Sequence, residues 1–435
     1  MTAPRNRDID IRWDFRSLPQ FAQGNARHAI GIARTGGAKC VTASLVRILG
    51  HGLHCIADIV DVNSSAIDNE VASLLDGKKS TKDLSVETWS LHRLQVAELL
   101  SDLVRPIVNR ANRNGNNPLV IGVQPIGVWI DHPISARRHF ESLCNGTQLA
   151  ESTDVNVVDD LPLRDLACGG RGGPTHAWAD WVLLADRSGI PGSRNHGVVR
   201  FGPTVRLCVI PSRSTRDACD HLVALDVCPG RDLIMAIAEL CNVQPKLLMS
   251  TEYCVQGTSD LTLLNAWREN IPASRSWEPL PFADVDVYRI TKDALVGRSV
   301  DPRSLAFTLV RFISERIKVA VRSEKLSTLP VSRLILADDL EANRLFLTEI
   351  GRQIPDVETC HMAESFPQDC LDSAGAALMA IARIDQVVTN SFRLTKTTIP
   401  RILGNIIPGN PKNWERLVRE TVQQMPDSMK LKEAI

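Results

Sequence analysis

Neither sign of charge is in excess in this 435-residue chain, and long apolar runs are missing from it. Fifty Lys and Arg residues balance fifty Asp and Glu residues, so the formal net charge is zero. A neutral chain argues against nucleic-acid binding that relies on bulk positive charge. The apolar runs fall short of a membrane span. With 44% hydrophobic and 23% charged residues, the composition is typical of a soluble globular protein of two or three domains.

Paired cysteines and metal-ligand clusters are also missing. The eleven cysteines include no C-x-x-C pair, which favours reduced and mostly buried thiols. His51, His54 and Cys55 come closest to a metal cluster, but no further ligand follows at a familiar spacing, so we expect no metal site. Residues 1–17 lack the apolar core of a signal peptide, and we expect a cytoplasmic protein.

The common nucleotide-binding motifs are absent as well. Residues 31–42 read GIARTGGAKCVT, in which Gly36 and Gly37 suit a tight turn between two strands. This is not a Walker A loop, because Lys39 is followed by a cysteine and a strand instead of Ser or Thr and a helix. CGGRGGP at 168–174 is not a dinucleotide fingerprint, since no strand precedes it and a proline ends it.

Strand-like and helix-like segments alternate along the chain. Short strand-like runs fill residues 28–62, and we expect the first long helix over 85–110, with Ser85 as its N-cap and Pro106 as a kink or end. The other expected strands are 119–130, 205–210, 221–227 and 332–339, and the other expected helices are 231–241, 301–322, 340–354, 373–384 and 411–425. This alternation predicts an α/β protein with a mixed sheet.

Three stretches, in order along the chain, resemble one protein family. AESTDVNVVDDLPLRDLACGGRGGP (150–174) is similar to a run of Ala-Glu-Arg-Thr-Gly-Ile, Val-Val-x-Asp-Phe-Arg and Arg-Asp-x-Ala-x-Gly-Gly-Gln-Gly-Ala-Pro. LDVCPGRD (225–232) is similar to Phe-Asp-Thr-Gly-Pro-Gly-Asn, and TKTTIPRILGNIIPG (395–409) to Thr-Gly-x-x-x-Pro-Arg-Val-Leu-Gly-x-x-x-Pro-Gly. The family is that of the anhydro-N-acetylmuramic acid kinases, in the sugar kinase, Hsp70 and actin superfamily. The resemblance runs from about residue 29 to 410.

This resemblance implies an actin-like α/β fold of two ribonuclease-H-like domains with a central cleft. We expect a polar extension at 1–27, domain I at 28–158 with about 398–410, domain II at 159–397, and a C-terminal helix and tail at 411–435. The family uses ATP and magnesium to phosphorylate a sugar O6 while water opens the 1,6-anhydro ring, in cell-wall amino-sugar recycling. An amino-sugar ligand and a homodimer are implied, without a nucleic-acid or membrane partner.

Asp226 matches the family's catalytic Asp, which deprotonates the attacking water. The chemistry needs a carboxylate within hydrogen-bond reach of one water near the anomeric carbon. A strand end followed by Pro229 and Gly230 suits that role. The alternative is a structural Asp that caps the turn into the helix at 231–241.

The family's first phosphate loop, Gly-Thr-Ser-Leu-Asp-Gly-x-Asp, falls on residues 35–42. The resemblance gives nucleotide-binding positions to five of them: Thr35, Gly36, Gly37, Lys39 and Thr42. Both family carboxylates are missing here, while Arg34 and Lys39 are placed to attract an anion. A solvated hairpin turn is the alternative.

Five further residues match positions on the family's sugar side: Gln124, Asp160, Asp165, Gly170 and Arg171. Gln124 lies where the family's Ser-His-Gly-Gln-Thr is otherwise lost, and Asp160 lacks the Arg of the family's Asp-Phe-Arg. A buried turn at Gln124 and a solvated side chain at Arg171 are the alternatives. Asp165 and Gly170 fit a role in backbone geometry.

Two more family phosphate loops also depart from their pattern. Residues 208–214 take the place of Asn-Ile-Gly-Gly-x-x-Asn, and Pro211 there has no N–H to donate to a phosphate. Asp338, Asp339 and Leu340 take the place of a Gly-Gly-Gly that contacts the nucleotide. Two carboxylates at that point would repel ATP.

Three functional hypotheses follow from these matches and losses. The first is an anhydro-sugar kinase whose phosphate loops have degraded. The second is an inactive pseudokinase that binds a sugar or a partner without phosphoryl transfer. The third is an ATP-independent enzyme in which Asp226 activates water.

Removing the carboxylates at 338 and 339 is expected to strengthen ATP binding. A carboxylate about 4 Å from a phosphate costs on the order of 4 kcal/mol at an intermediate dielectric. The double variant Asp338→Gly/Asp339→Gly should therefore bind Mg·ATP at least ~10-fold more tightly than the wild type in a calorimetric titration. An unchanged affinity would show that repulsion at this position does not control ATP binding.

Overall fold

The computed structural model describes residues 26–35, 40–75, 85–131, 138–186, 194–215, 217–276, 278, 281–337, 344–362 and 370–424. Gly36, Gly37 and Lys39 of the first expected phosphate loop lie outside these residues, as do Asp338 and Asp339. None of the helices within the described ranges is long and apolar enough to cross a membrane.

The first sheet has six strands. They are β1 (Arg27–Thr35), β2 (Cys40–Leu49), β3 (Ile56–Ala66), β4 (Val120–Val123), β7 (Asn156–Asp159) and β14 (Asn405–Ile407). The strand order is β14-β7-β4-β1-β2-β3. β1, β2 and β3 form an antiparallel meander, β4 and β7 continue the sheet parallel to β1, and β14 closes it antiparallel to β7.

The second sheet repeats this arrangement. Its strands are β8 (Asn195–Arg200), β9 (Thr204–Ile210), β10 (Val223–Pro229), β11 (Arg275–Ser276), β12 (Val331–Leu336) and β13 (Glu358–His361), in the order β11-β10-β9-β8-β12-β13. β8, β9 and β10 form the antiparallel meander, and β12 and β13 run parallel to β8. A meander flanked by parallel strands is the ribonuclease-H-like order. Its occurrence twice confirms the expected two-unit α/β fold.

The remaining elements connect or cover the sheets. β5 (Gly127–Asp131) and β6 (Arg138–Ser142) form a separate two-stranded ribbon. The helices are α1 (Asn69–Leu75), α2 (Val86–Arg113), α3 (Gly146–Thr153), α4 (Leu161–Ala167), α5 (Ala177–Leu184), α6 (Arg231–Cys241), α7 (Pro245–Leu248), α8 (Thr251–Cys254), α9 (Leu261–Asn270), α10 (Val287–Leu295), α11 (Pro302–Val321), α12 (Arg344–Gln353), α13 (Leu371–Ile384), α14 (Phe392–Thr395) and α15 (Pro411–Gln424).

Alternating side chains on the strands divide the interior into three cores. On β8, Val199 joins a core with the helices that cover the outer face of the second sheet, whereas Val198 joins a middle core. On β1, Ile30 joins the core beneath α2, whereas Ala29 joins the same middle core. Because successive strand residues point to opposite faces, both sheets are buried on two sides. Helices α5 and α13 contribute many residues to the middle core and lie between the two sheets.

Helix α13 approaches the first sheet more closely than side chains would permit. A Cβ on Gly31 of β1 would lie 1.8 Å from the carbonyl oxygen of Ser373, and one on Gly122 of β4 would lie 2.1 Å from that of Ala376. The helix sequence SAGAALMA presents small residues to this contact. Glycines on the strands and small residues on the helix thus let two backbones touch.

Two expectations about local structure need correction. Of the two outcomes expected at Pro106, an end of helix α2 is wrong, because the helix continues to Arg113, while a kink there stays a prediction. A proline removes only one helical hydrogen bond, and the buried Leu103, Val104 and Ile107 hold the helix on the sheet at this point. The expected strand at 119–130 is two strands, β4 and β5, in different sheets.

Two helix caps are as expected. Ser85 caps α2, since its hydroxyl accepts a hydrogen bond from Thr88 N at 3.2 Å. Asp301 caps α11 by accepting from Arg303 N at 3.1 Å, with Pro302 in the first turn.

The expected division into domains at 159 and 397 stays a prediction. Strand β14 lies in the first sheet, and α13, which the division gives to domain II, also packs on that sheet.

The close contact of α13 predicts a large effect of a single methyl group. Gly122→Ala should lower the free energy of unfolding by about 3 kcal/mol, because the added carbon overlaps a backbone oxygen that cannot move alone. Urea unfolding followed by circular dichroism measures the change. Gly351→Ala in α12 is the matched control, since its Cβ meets nothing within 4 Å. That variant should be stabilised by up to ~1 kcal/mol through helix propensity, and equal losses in both variants would contradict the prediction.

Candidate active site

Asp226 lies within strand β10 and has no solvent exposure. Its Oδ1 accepts a hydrogen bond from Arg206 Nε at 3.1 Å, and its Oδ2 accepts one from Glu278 N at 2.9 Å. Burial raises the pKa of Asp226, and the charge of Arg206 opposes that rise. Helix α6 begins at Arg231 with Gly230 as its N-cap. Asp226 is therefore an ion-paired strand residue and does not cap that helix.

Glu278 links Asp226 to the glycine-rich loop at 168–174. Glu278, whose N–H binds Asp226, also forms an ion pair with Arg171, with Arg171 NH1 and Glu278 Oε1 3.1 Å apart. The backbone N–H of Arg171 donates to Thr395 O at 2.8 Å. The structure thus brings together two residues that the sequence matches singled out separately. The sequence reasoning missed Glu278 and Arg206, which have no motif of their own.

Asp165 acts as an internal anchor for the glycine-rich loop. It is fully buried and accepts hydrogen bonds from Gly172 N at 2.8 Å, Asn390 Nδ2 at 2.7 Å and Thr395 Oγ1 at 2.7 Å. Burial raises the pKa of Asp165, and these hydrogen bonds oppose the rise. A Cβ on Gly170 would lie 2.1 Å from Asp165 Oδ2, so the loop needs glycine there. These contacts favour the interpretation of Asp165 and Gly170 as backbone geometry.

Three other predicted positions follow strands that end at the same edge of the first sheet. Thr35 ends β1, Gln124 follows β4 and Asp160 follows β7, and these three strands are parallel neighbours. Gln124 N donates to Ile32 O at 2.8 Å. Thr42 lies inside β2, where its Oγ1 is 2.9 Å from Ser64 Oγ and its side chain is buried. The carboxyl edge of a parallel sheet is where ligands commonly bind.

Asp159 and Asp160 form an acidic pair at that edge. Burial, and next the charge of Asp160, raise the pKa of Asp159 to about 7. Burial also raises the pKa of Asp160, and the charge of Arg93 opposes it. Asp160 has a left-handed backbone with φ of 52°. The side chains of Ser142 and Asn405 hydrogen-bond to its carboxylate, whereas its buried Oδ1 has no hydrogen-bond partner among the described residues. An unsatisfied buried oxygen of this kind suits a ligand hydroxyl.

The expected second phosphate loop at 208–214 is placed wrongly. Cys208, Val209 and Ile210 lie inside β9, where Cys208 and Val209 pair with strands on both sides and Ile210 pairs with β8. By the repeated strand order, the counterpart of the β1–β2 loop is the β8–β9 turn at 201–203. In this turn the carbonyl groups of Gly202 and Pro203 accept from Arg231 N and Gly230 N at 2.9 and 2.8 Å.

Arg200, at the end of β8, holds two carboxylates on neighbouring helices. Its guanidinium forms a bidentate ion pair with Asp180 of α5, and its NH1 donates to Asp372 Oδ1 of α13 at 2.5 Å. Burial raises the pKa of Asp180, and Arg200 opposes the rise. His176 Nε2 lies 3.9 Å from Asp180 Oδ2. Burial lowers the pKa of His176 well below its ordinary value, so the ring is neutral.

These contacts do not fit ATP with magnesium. Pro203 in the second hairpin turn has no N–H to donate to a phosphate, and Arg200 already neutralises the nearby carboxylates. Among the described residues, no group of three or more His, Cys, Asp and Glu side chains is placed to hold a metal. The nucleotide positions Gly36, Gly37 and Lys39 stay predictions.

A cavity of about 570 Å³ lies away from all of these residues. It opens at the other edge of the first sheet, where β4 and β7 begin. Its lining includes Arg105, Asn109, Lys412 and Arg416. This cavity is therefore not where the sequence matches place the chemistry.

Comparison with known proteins finds that part of this chain is similar to one family. The sequence model for anhydro-N-acetylmuramic acid kinase matches residues 31–202. The anhydro-N-acetylmuramic acid kinase of Bacillus thuringiensis subsp. konkukian (strain 97-27) is 21% identical over 217 residues, 49% of this chain and 54% of that protein. That of a Bacillus cereus strain is 22% identical over 204 residues, 46% and 50% respectively. The chain spans about half the length of the curated relatives it matches. These matches confirm the resemblance seen in the sequence over residues 31–202, which include the 150–174 stretch.

Solved structures align over most of the chain but loosely. The activator of the 2-hydroxyisocaproyl-CoA dehydratase from Clostridium difficile with bound ADPNP aligns with a TM-score of 0.40 at 12% identity, over 81% of this chain and 94% of that one. An inorganic polyphosphate/ATP-glucomannokinase from Arthrobacter sp. strain KM aligns with a TM-score of 0.33 at 11% identity, over 82% and 98%. The description of the fold rests on the strand order itself.

The acidic pair predicts a pH-dependent stability. Because the folded state binds the Asp159 proton more tightly than the unfolded chain does, the associated stability is complete below about pH 4 and is lost as pH rises through about 7. Asp159→Asn should remove this loss and gain about 2 kcal/mol relative to the wild type between about pH 5 and pH 8. Urea unfolding at several pH values measures the difference. Asp154→Asn, at an exposed position, is the control; a constant gap between Asp159→Asn and wild type would contradict the prediction.

Proposed function

We propose that this protein is a catalytically inactive relative of the anhydro-N-acetylmuramic acid kinases that binds an amino sugar without phosphoryl transfer. In this proposal the protein keeps the family's sugar-binding function but does not bind ATP or transfer a phosphoryl group. The proposal depends on one observation. Asp226, which matches the family's catalytic base, is buried and both of its carboxylate oxygens accept hydrogen bonds from the protein.

A general base must lie within hydrogen-bond distance of the water whose proton it removes. No part of Asp226 reaches solvent, and each carboxylate oxygen is already bound, one to Arg206 Nε and the other to Glu278 N. A water could reach this carboxylate only after the ion pair opens. Loss of one partner from a buried ion pair costs about 3–5 kcal/mol of folding free energy, because the other charge is left uncompensated. This arrangement supports a structural role for Asp226 and disfavours both the kinase and the ATP-independent enzyme.

The nucleotide side supports the same proposal. Arg200 is bound to two carboxylates. The β8–β9 turn at 201–203, which is the counterpart of the β1–β2 loop in the second sheet, contains Pro203, and this residue has no backbone N–H to donate to a phosphate. Each charge-assisted hydrogen bond lost is worth about 1.5–3 kcal/mol. A typical ATP affinity corresponds to only about 6–7 kcal/mol. A few such losses are enough to abolish binding at cellular concentrations.

The sugar side is better preserved. The family match at 31–202 contains the 150–174 stretch but ends before Asp226. Asp165 holds the glycine-rich loop in place, and the buried Oδ1 of Asp160 lacks a hydrogen-bond partner among the described residues. Sugar hydroxyls are donors that such an oxygen accepts. These features support an amino sugar as the ligand.

Calorimetric titration with Mg·ATP and, separately, with 1,6-anhydro-N-acetylmuramic acid tests the proposal. We expect saturable binding of the sugar, no saturable binding of Mg·ATP at millimolar concentration, and no phosphorylated sugar when both are present. Asp226→Asn should leave sugar affinity within about twofold, because Asp226 is proposed to be structural.

The exposed Glu239→Gln on helix α6 is the matched control for removing one carboxylate. Micromolar Mg·ATP binding, together with sugar phosphorylation that Asp226→Asn abolishes and Glu239→Gln does not, would overturn the proposal and establish the kinase. Ring opening without ATP that depends on Asp226 would establish the third hypothesis instead.

A further inference from the structure

The cavity of about 570 Å³ between helices α2 and α15 carries a surplus of positive charge. Arg105 of α2 and Lys412 and Arg416 of α15 line it, whereas Asp154 is the one carboxylate among its described lining residues. Its volume lies within the range of small-molecule sites. Positive side chains gathered in one concave place raise the local concentration of anions.

Lys412 is placed where its charge is unfavourable to the helix that carries it. It lies in the first turn of α15, where the helix dipole disfavours a cation. Arg416 follows four residues later, and like charges at this spacing repel each other. Among the described residues Lys412 has no hydrogen-bond or ion-pair partner, and Arg416 NH1 donates to the uncharged Asn117 O at 2.9 Å. An anion in the cavity would relieve this repulsion.

The walls of the cavity are held in place by a set of hydrogen bonds around Asn413. Its Nδ2 donates to Pro118 O at 2.9 Å, and its Oδ1 accepts from Asn156 N at 2.9 Å. Asn156 has no solvent exposure, and its side chain donates to Asn413 O at 3.1 Å and accepts from Gly409 N at 2.9 Å. These bonds join the start of α15 to the segments that lead into β4 and β7. A site formed in advance loses less entropy when a ligand binds.

The rest of the lining suits a sugar better than a nucleotide. The side-chain amides of Asn109 and Asn112 form no hydrogen bond with other described residues, and an amide can both donate to and accept from a hydroxyl group. The buried Val108 and Val155 add an apolar patch that fits the C–H groups of a sugar ring. Since no aromatic ring is among the described lining residues, a nucleobase would have nothing on which to stack.

We propose that this cavity is a second ligand site, which binds a monosaccharide phosphate. A phosphate monoester carries a charge of about −1.5 to −2 at pH 7, and three cations match it better than they match a carboxylate. Arg105, Lys412 and Arg416 bind the phosphate oxygens, and the asparagine amides bind the ring hydroxyls. The inference does not depend on the proposed function, because the lining includes none of the candidate active-site residues.

Calorimetric titration of the full-length protein with glucose 6-phosphate tests the inference. We expect one saturable site per chain. Glucose, inorganic phosphate and glucuronate should each bind at least ~10-fold more weakly, because each lacks the phosphate or the ring hydroxyls. No saturable binding of glucose 6-phosphate, or equal affinity for any of the other three compounds, would overturn the inference.

The variant Lys412→Gln shows whether the ligand lies in this cavity. Loss of a charged donor should weaken glucose 6-phosphate binding at least ~10-fold. The variant should fold with a thermal midpoint no lower than that of the wild type, because it removes an unfavourable charge. Arg105→Gln on α2 is a second variant with the same expected loss. Arg419→Gln is the matched control, since Arg419 is an exposed cation of the same helix outside the cavity lining, and its affinity should stay within about twofold.

Two results with these variants would contradict the inference. An equal loss in Lys412→Gln and Arg419→Gln would mean that the general charge of α15 attracts the anion. Unchanged affinity in both Lys412→Gln and Arg105→Gln, together with a loss in Asp160→Asn, would place the ligand in the candidate active site instead. Failure of 1,6-anhydro-N-acetylmuramic acid to bind, with glucose 6-phosphate binding that depends on Lys412, would refute the proposed function and keep the inference.

Discussion

The contact between helix α13 and two glycines of the first sheet is the constraint on which the rest of the structure depends. Gly31 and Gly122 have no side chains, so the helix packs directly against the backbone of β1 and β4. A side chain at either position would hold the helix farther from the sheet. This depth fixes the thickness of the layer between the two sheets. It also sets the position of Asp372 in the first turn, where Arg200 from the second sheet can reach it. Close packing of this kind makes the interior sensitive to one methyl group.

Buried charge is the second feature that shapes this interior. Arg200 pairs with Asp180 and Asp372, and Arg206 pairs with Asp226, so these carboxylates are neutralised inside the chain. Buried ion pairs add little to stability compared with apolar residues of the same volume, whereas loss of one partner is costly. Replacing either partner of such a pair is therefore expected to destabilise the fold. Once formed, they leave the carboxylates unavailable to a ligand.

The sequence predicts the architecture well and the site only in part. The alternation of strand-like and helix-like segments indicates an α/β protein, because hydrophobic patterns of this kind act locally, whereas the division into two units came from the family resemblance. The matches to Asp226 and Arg171 identify two residues that Glu278 connects in the structure. Arg200 escapes sequence reasoning, since its partner Asp372 is far away in sequence and neither residue belongs to a recognisable motif. The second phosphate loop was predicted at the wrong place. The apolar residues Cys208, Val209 and Ile210 belong to a buried strand, and the sequence alone does not show where that strand ends.

Strand β14 has a consequence for the way this chain is made. It pairs with β7 in the first sheet, although all strands of the second sheet lie between the two in sequence. Helix α13, which covers the same sheet, also comes after the second sheet. The first unit therefore cannot complete its sheet until residues 405–407 have left the ribosome, after every strand of the second sheet has been made. The strands of the second unit are contiguous in sequence, so its sheet does not have to wait for the first sheet to be complete.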